Sequence, residues 1–76
     1  METTETTLWR ASKMLLEVER LKSDMDKNGA EIIALMDDLL SQDIIKALAS
    51  APHVRMWMRQ LCSELAEFYT RQLSHV

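Results

Sequence analysis

Residues 50–73, SAPHVRMWMRQLCSELAEFYTRQL, carry the pattern that decides the fold of this chain. Proline disfavours helical angles in the residue before it and fits the first turn of a helix, so Pro52 marks a helix start. Beyond it, apolar residues recur every three or four positions, which is the spacing of one helical face. The pattern predicts a helix over residues 52–74. Its predicted inward face is Val54, Trp57 or Met58, Leu61, Leu65, Phe68 and Leu73.

Two further helices are predicted upstream of this segment. Over residues 5–27 the apolar side chains again fall on one broad face, and Thr3 or Thr4 is a suitable N-terminal cap. The stretch 27–29 combines a lysine, an asparagine and the only glycine of the chain, a combination that is typical of a helix C-terminus. We therefore expect the first helix to end at Lys27, with Gly29 as its cap.

The second helix is predicted over residues 30–50. Its first half, residues 32–40, is apolar on two sides, so it must be covered on more than one flank. Ser41 is a possible cap for a new helix with Asp43 in its first turn, so one kinked helix and two shorter helices are both open. We favour one continuous helix, because neither glycine nor proline forces a break here.

These segments predict an all-α fold, a small antiparallel bundle of three main helices at about 5–27, 30–50 and 52–74. Residues 1–76 form a single domain in this prediction, with a frayed N-terminus at residues 1–4. A core of this size rarely supplies more than about 3 to 5 kcal/mol of stability, so small domains often need further support. The surplus of apolar surface predicts a homodimer with the first or second helix at its centre.

Several classes of function are excluded by composition. The chain has one cysteine, Cys62, and its two histidines are 22 residues apart, so we expect no disulfide, no metal site and no cofactor. No glycine-rich phosphate loop is present, and no residue pattern supplies an activating base for Cys62, so the chain is predicted not to be an enzyme. The longest apolar run has five residues and no signal peptide precedes it. We therefore expect a cytoplasmic protein with no membrane contact.

The charge is unevenly distributed along the chain. Residues 1–51 contain ten acids and six bases, whereas residues 52–76 contain two acids and three bases. A net charge of −3 argues against nucleic-acid binding, because such binding relies on a general positive charge.

The basic start of the last helix is the main candidate for a binding site. Bases oppose the positive end of the helix dipole, so His53, Arg55 and Arg59 favour an anionic partner. The basic charge could instead be neutralised within the chain, since Asp43 would lie about level with Arg59 in a helical hairpin. Exposed apolar residues next to charges are typical of contact surfaces. The predicted partner-binding residues are His53, Arg55, Met56, Arg59 and Trp9.

The sequence therefore predicts a non-enzymatic protein–protein interaction module, such as a small accessory subunit, chaperone or inhibitor of a larger cytoplasmic complex. It would act through apolar helical faces and a basic patch, and its protein partner is not identified by the sequence. The alternative from another class is a small helical nucleic-acid-binding regulator that uses the helix hairpin around Pro52.

Residues 53–59, HVRMWMR, resemble the start of the third helix in the theta subunit family of bacterial DNA polymerase III. Both have a histidine, an aliphatic residue, an arginine, a variable residue, a tryptophan, an apolar residue and an arginine in that order. Residues 25–27 are similar to a second short block of that family, at a shorter spacing. The resemblance covers about ten residues. It implies a helical accessory subunit that stabilises an exonuclease, with Trp57 in the core.

Overall fold

The computed structural model describes residues 3–74, and all regular structure in this range is helical. Helix α1 spans Thr4–Leu21, α2 spans Met25–Leu39, α3 spans Gln42–Leu48 and α4 spans Pro52–Ser74, with a single 3₁₀ turn at Lys22–Asp24. The all-α class with three main helices is confirmed, because α3 adds only seven residues. The antiparallel packing and the self-association stay predictions.

The predicted starts of the chain's first and last helices agree with the structure. Thr3 is the N-cap of α1, and its side chain accepts a hydrogen bond from the Thr6 backbone nitrogen at 3.1 Å. Helix α1 thus begins inside the predicted frayed terminus 1–4, of which residues 1 and 2 lie outside the described residues. Pro52 is the first residue of α4, as predicted, and the Arg55 backbone nitrogen donates to the Ala51 carbonyl oxygen at 3.1 Å.

The prediction that the first helix ends at Lys27, with Gly29 as its cap, is wrong, because α1 ends at Leu21 and Gly29 lies inside α2. Asp24 leaves helical geometry with φ −140° and ψ 79°, and its carboxylate accepts from the Lys27 backbone nitrogen at 3.2 Å, which starts a new helix. The Asn28 side chain donates to the Leu21 carbonyl oxygen at 3.0 Å and so satisfies one free carbonyl at the end of α1. Asn28, which the sequence pattern placed at a helix C-terminus, therefore does cap the end of α1, but it does so from the first turns of α2.

The prediction of one continuous helix over residues 30–50 is also wrong. Helix α2 ends at Leu39, and Ser41 adopts an extended backbone with φ −62° and ψ 152° as the N-cap position of α3. The Ser41 side chain makes no capping hydrogen bond, so Ser41 separates the two helices only through its extended backbone. Asp43 then lies in the first turn of α3, where an acid is favourable.

Helix α1 is the centre of the core. Its buried side chains form a complete stripe along one face, whereas α2 buries only Ile32 and Leu39. The backbone of α1 approaches those of α2, α3 and α4 closely, and α2 and α4 hardly approach each other. The molecule is consequently elongated, measuring 44 × 18 × 18 Å. The apolar core consists of Ala11, Leu15, Val18, Leu21, Ile32, Leu39, Ile44, Leu48, Met58, Leu61 and Leu65.

The expected cover on both flanks of residues 32–40 is not found among residues 3–74. Ile32 and Leu39 are fully buried, but Ile33 is 58% exposed and Leu40 is 54% exposed. On α4, Met58 is buried and Trp57 is only half-buried, and the predicted inward residue Leu73 is 76% exposed. The described chain therefore buries one flank of α2 and leaves the other flank open.

We predict that Gly29→Ala stabilises the protein by up to about 1 kcal/mol in urea unfolding, because alanine is that much better than glycine inside a helix. The Gly29 backbone does not have positive φ, and an added Cβ would lie 3.3 Å from the Tyr69 hydroxyl oxygen, which must yield slightly. No hydrogen bond within residues 3–74 holds that hydroxyl in place. The reciprocal control, Ala34→Gly in the same helix, should destabilise by a similar amount. A loss of stability in Gly29→Ala would mean that the Tyr69 hydroxyl does not yield to the added Cβ, contrary to this prediction.

Candidate protein-binding surface

An apolar groove of about 320 Å³ lies between α2 and α4. The backbones of these two helices hardly approach each other, so their facing sides stay partly exposed. Buried Ile32 and Leu65 line it along with more exposed side chains, and the only charged residue among its lining residues is Asp37. We call it the α2–α4 groove and define it by Ile33, Met36 and Leu40 of α2 and by Cys62, Ala66 and Tyr69 of α4.

A second groove, of about 430 Å³, lies between α3 and α4 and is basic at its rim. Its apolar lining includes Ile45, which is 45% exposed, and Leu48. Arg55 and Arg59 line the same groove, and within residues 3–74 neither arginine forms an ion pair. We call this the α3–α4 groove. It offers an apolar floor with two available guanidinium groups, a combination that suits a carboxylate-bearing helix.

The two grooves are connected by one line of side chains on α4. Arg55, Arg59, Cys62, Ala66 and Tyr69 follow each other at intervals of four, three, four and three residues, which places them on a single helical stripe. The first two residues line the α3–α4 groove and the last three line the α2–α4 groove. The surface therefore changes from basic to apolar along the length of α4.

The structure brings together only part of the predicted partner-binding set. His53, Arg55, Met56 and Arg59 are all exposed on α4, and Met56 is 63% exposed. Only Arg55 and Arg59 of these line the α3–α4 groove as described above. Trp9 belongs to α1, where it is 63% exposed and its ring lies 4.5 Å from the Lys13 ammonium nitrogen. The Trp9 ring is thus partly covered by a cation–π contact on its own helix.

The expected internal counter-charge for the basic patch is not formed. Asp43 is exposed at the start of α3, and no ion pair between Asp43 and Arg59 is found in the described part of the chain. Internal neutralisation therefore does not account for the arginines.

A polar network at the other side of α4 fixes this helix against the end of α1. The Trp57 indole nitrogen donates to Glu19 at 3.2 Å, and the Lys22 ammonium lies 3.0 Å from Glu19 and 2.8 Å from Glu64. The hydrogen bonds to Glu64 and then to Glu19 raise the pKa of Lys22. The pKa of Glu19 is lowered, mainly by the hydrogen bond from Lys22, with Trp57 adding to it. The network positions the α4 wall of both grooves.

Cys62 lies half-buried in the α2–α4 groove, and burial raises the pKa of its thiol. A thiol that resists ionisation is a poor nucleophile at neutral pH. The Tyr69 hydroxyl is buried and finds no hydrogen-bond partner among residues 3–74. No group of three histidine, cysteine or acidic side chains in the described residues is arranged to hold a metal ion. None of the helices in this range has the length and apolarity to cross a membrane.

The α2–α4 groove was not predicted from the sequence. The two-sided apolar pattern of residues 32–40 is the signal that indicates it, since Ile33 and Leu40 are the members of that pattern that stay exposed. The α4 side of the groove gives no such signal, because Cys62, Ala66 and Tyr69 are of residue types that are common both in cores and on surfaces.

Comparison with known proteins adds no relative to this description: no family model, no curated protein and no solved structure matches the chain significantly. The local resemblance of residues 53–59 to the theta subunit family is therefore not accompanied by a match to any family as a whole.

Proposed function

We propose that this chain is a non-enzymatic protein-binding module that holds a helical partner in the α2–α4 groove. The observation that carries the proposal is the pair of exposed residues Ile33 and Leu40, whose apolar side chains border a groove that residues 3–74 do not fill. Exposed contiguous apolar surface of this kind is typical of protein interaction sites.

The geometry supports a helix as the bound element. The lining residues of α2 and α4 lie at helical spacing on both walls, so the groove runs along the helices. An amphipathic helix placed in it would complete a four-helix arrangement, with α1, α2 and α4 as the other three helices. Small modules that act this way include accessory subunits, chaperones and inhibitors of larger cytoplasmic complexes, and we assign the chain to this class of function.

The α3–α4 groove supplies the orientation of the partner in this proposal. Arg55 and Arg59 offer two charges at one end of the binding surface, so a bound helix with acidic residues at that end would be favoured. His53 and Met56 are exposed on the same helix and extend this end of the surface, and Trp9 forms a separate contact on α1.

The test is a capture experiment from cell lysate with two matched variants. Ile33→Lys places a charge at the α2–α4 groove, and Leu16→Lys places the same charge on the outer face of α1, where Leu16 is 60% exposed. Both variants should keep the helical circular dichroism and thermal melting of the wild type, because both positions are exposed. We expect mass spectrometry to show that Ile33→Lys loses a specific protein that the wild type and Leu16→Lys both capture.

Two outcomes of this experiment contradict the proposal. If all three proteins capture the same set, the α2–α4 groove does not bind the partner. If nuclease treatment of the lysate removes the captured material and purified nucleic acid restores it, the alternative regulator function around Pro52 is supported instead.

A further inference from the structure

Helix α4 presents two parallel seams of side chains along its length. The first seam is packed into the core and consists of Val54, Met58, Leu61 and Leu65. The residue after each of these lies about 100° further round the helix, and together they form the second seam, which is the stripe of Arg55, Arg59, Cys62 and Ala66 that continues to Tyr69. In the second seam the arginines and Ala66 are exposed, and Cys62 and Tyr69 are half-buried. Residues 3–74 therefore fill the first seam and leave the second partly open.

The spacing of the second seam indicates what kind of element fits it. Intervals of four and three residues alternate along it, which is the repeat by which two helices pack side by side at a small crossing angle. Tyr69 follows Arg55 by 14 residues, so the seam is about 21 Å long at 1.5 Å per residue. An occupant that follows the whole seam is one helix of about four turns.

The wall that faces this seam is formed by two helices in succession. Near one end, a Cβ atom added to Gly29 of α2 would lie 3.3 Å from the Tyr69 hydroxyl oxygen. At the other end, Ile45 of α3 lines the α3–α4 groove together with the two arginines. Leu40 stands between them in the chain and lines the α2–α4 groove, so α3 continues the wall where α2 ends. The two grooves thus adjoin along the second seam, and a single helix can lie against both.

The two grooves differ in charge. No acidic residue lines the α3–α4 groove, and its two guanidinium groups are exposed and have no ion-pair partner among residues 3–74. Arg55 and Arg59 are one helical turn apart, which is about 6 Å along the axis. The α2–α4 groove is apolar, and Asp37 is the only charged residue among those that line it. A partner that is complementary to both grooves is acidic at one end and apolar along the rest.

We propose that the partner is a single amphipathic helix of about four turns from another protein, which lies along the second seam and places two acidic residues, four positions apart, against Arg55 and Arg59. Its apolar face lies in the α2–α4 groove against the exposed side chains of Ile33 and Leu40. This inference rests on the proposed function and specifies the length and the charge pattern of the helix that the α2–α4 groove holds.

A nucleic acid matches this surface less well than an acidic helix. Its phosphates would pair with the two arginines, but it would leave the exposed apolar side chains of Ile33, Leu40 and Ile45 without a matching face. The net charge of −3 also opposes it. Two carboxylates on an amphipathic helix supply both the charge and the apolar surface.

The test measures the binding of designed peptides to the purified full chain by fluorescence anisotropy. The probe is an amphipathic peptide of about 18 residues, with leucine every three or four positions and two glutamates, one helical turn apart, near one end. We expect saturable binding of this end-acid peptide. One control peptide has the two glutamates in the middle of the helix, and another has glutamines in their place. Both controls should bind about fivefold more weakly or worse, because neither places a negative charge against the arginines.

Variants of the two grooves show whether one helix spans both. Ile33→Lys alters the α2–α4 groove and Arg59→Glu alters the α3–α4 groove, and each should raise the Kd of the end-acid peptide by about fivefold or more. Leu16→Lys and Arg71→Glu make the same kinds of change at exposed positions that line neither groove, and should leave the Kd within about twofold of the wild type. Circular dichroism checks that all four variants are folded.

An exchange of charges tests the contact with the arginines. A peptide with two lysines in place of the end glutamates should bind the wild type about tenfold more weakly than the end-acid peptide does. The same lysine peptide should bind the doubly substituted chain, Arg55→Glu with Arg59→Glu, with a Kd within about threefold of the original pair. Failure of this recovery in a folded chain would overturn the proposed contact.

Further outcomes also overturn the spanning helix. They are binding that depends on Ile33 but not on Arg59, and no binding of the end-acid peptide at all. A single-stranded DNA oligonucleotide that displaces the peptide in an Arg59-dependent manner would make a nucleic acid the occupant. A wild-type dimer in sedimentation equilibrium that Ile33→Lys and Arg59→Glu both dissociate would make a second copy the occupant. In each case a lysate protein whose capture depends on Ile33 leaves the proposed function intact, whereas the loss of that dependence overturns the function as well.

Discussion

Leu15→Ala will lower the free energy of unfolding by about 2 to 5 kcal/mol, the range for removing a buried leucine side chain. Leu15 is fully buried in α1, the helix that packs against the other three. The cavity it leaves cannot close easily, since α2, α3 and α4 all take their position from α1. Because a domain of this size has only about 3 to 5 kcal/mol in total, we expect much of the variant to be unfolded at 25 °C.

The measurement is urea denaturation followed by far-ultraviolet circular dichroism. Leu16→Ala is a matched control, since it makes the same substitution at the next residue, which is 60% exposed. It should change the free energy of unfolding by less than about 0.5 kcal/mol. Equal effects at the two positions would mean that α1 is rotated from the face described above.

Trp57→Ala is expected to have the second largest effect, about 3 kcal/mol, which is at the lower end of the range for buried tryptophans. The ring is half-buried against the core, and its nitrogen donates to Glu19 on α1. The substitution therefore removes both packing area and the hydrogen bond that fixes α4 to α1. Thermal unfolding of the variant should show a correspondingly lower midpoint.

Two companion variants separate these contributions. Trp57→Phe keeps most of the packing and removes the hydrogen bond, so it should cost about 1 kcal/mol. Trp9→Ala removes an exposed tryptophan whose ring contacts Lys13, and should cost no more than about 0.5 to 1 kcal/mol. If Trp9→Ala destabilised the chain as much as Trp57→Ala, Trp9 would be a structural residue and not a contact for a partner.

Much of the fold could be predicted where a helix start, a cap or an apolar spacing in the sequence has only one interpretation. Pro52 fixes the start of α4, and Thr3 caps α1 with a side-chain hydrogen bond, as the preferences of these residues indicate. The buried stripe of α1 also follows directly from the spacing of its apolar residues. These features depend on residues within one helical turn of each other.

The errors arose where two local signals competed. Residues 27–29 look like a helix end, yet Asp24 had already ended one helix and capped the next, so Gly29 was used inside α2. The break at Ser41 occurs without glycine or proline, and the α3 helix that follows it buries Ile44 and Leu48 in the core. Which signal prevails is decided by tertiary packing, and sequence spacing does not contain that information.

The candidate site divides in the same way. Exposure of His53, Arg55, Met56 and Arg59 follows from their place on the polar side of α4. The α2–α4 groove could not be predicted, because it depends on how far apart α2 and α4 lie when both pack against α1, and sequence spacing does not give that distance.

The turn between α1 and α2 has a consequence for the order in which the chain folds. Asn28 and Leu21 are joined across seven residues, whereas Lys22 reaches Glu64 across 42 residues. Loop-closure entropy grows with the logarithm of this separation, so docking α4 costs about 1.6 kcal/mol more than closing the corner. We therefore expect α1 and α2 to form an early unit and α4 to dock last and open first. In native-state hydrogen exchange, amides of α4 should then exchange before those of α1, and the reverse order would contradict this sequence of events.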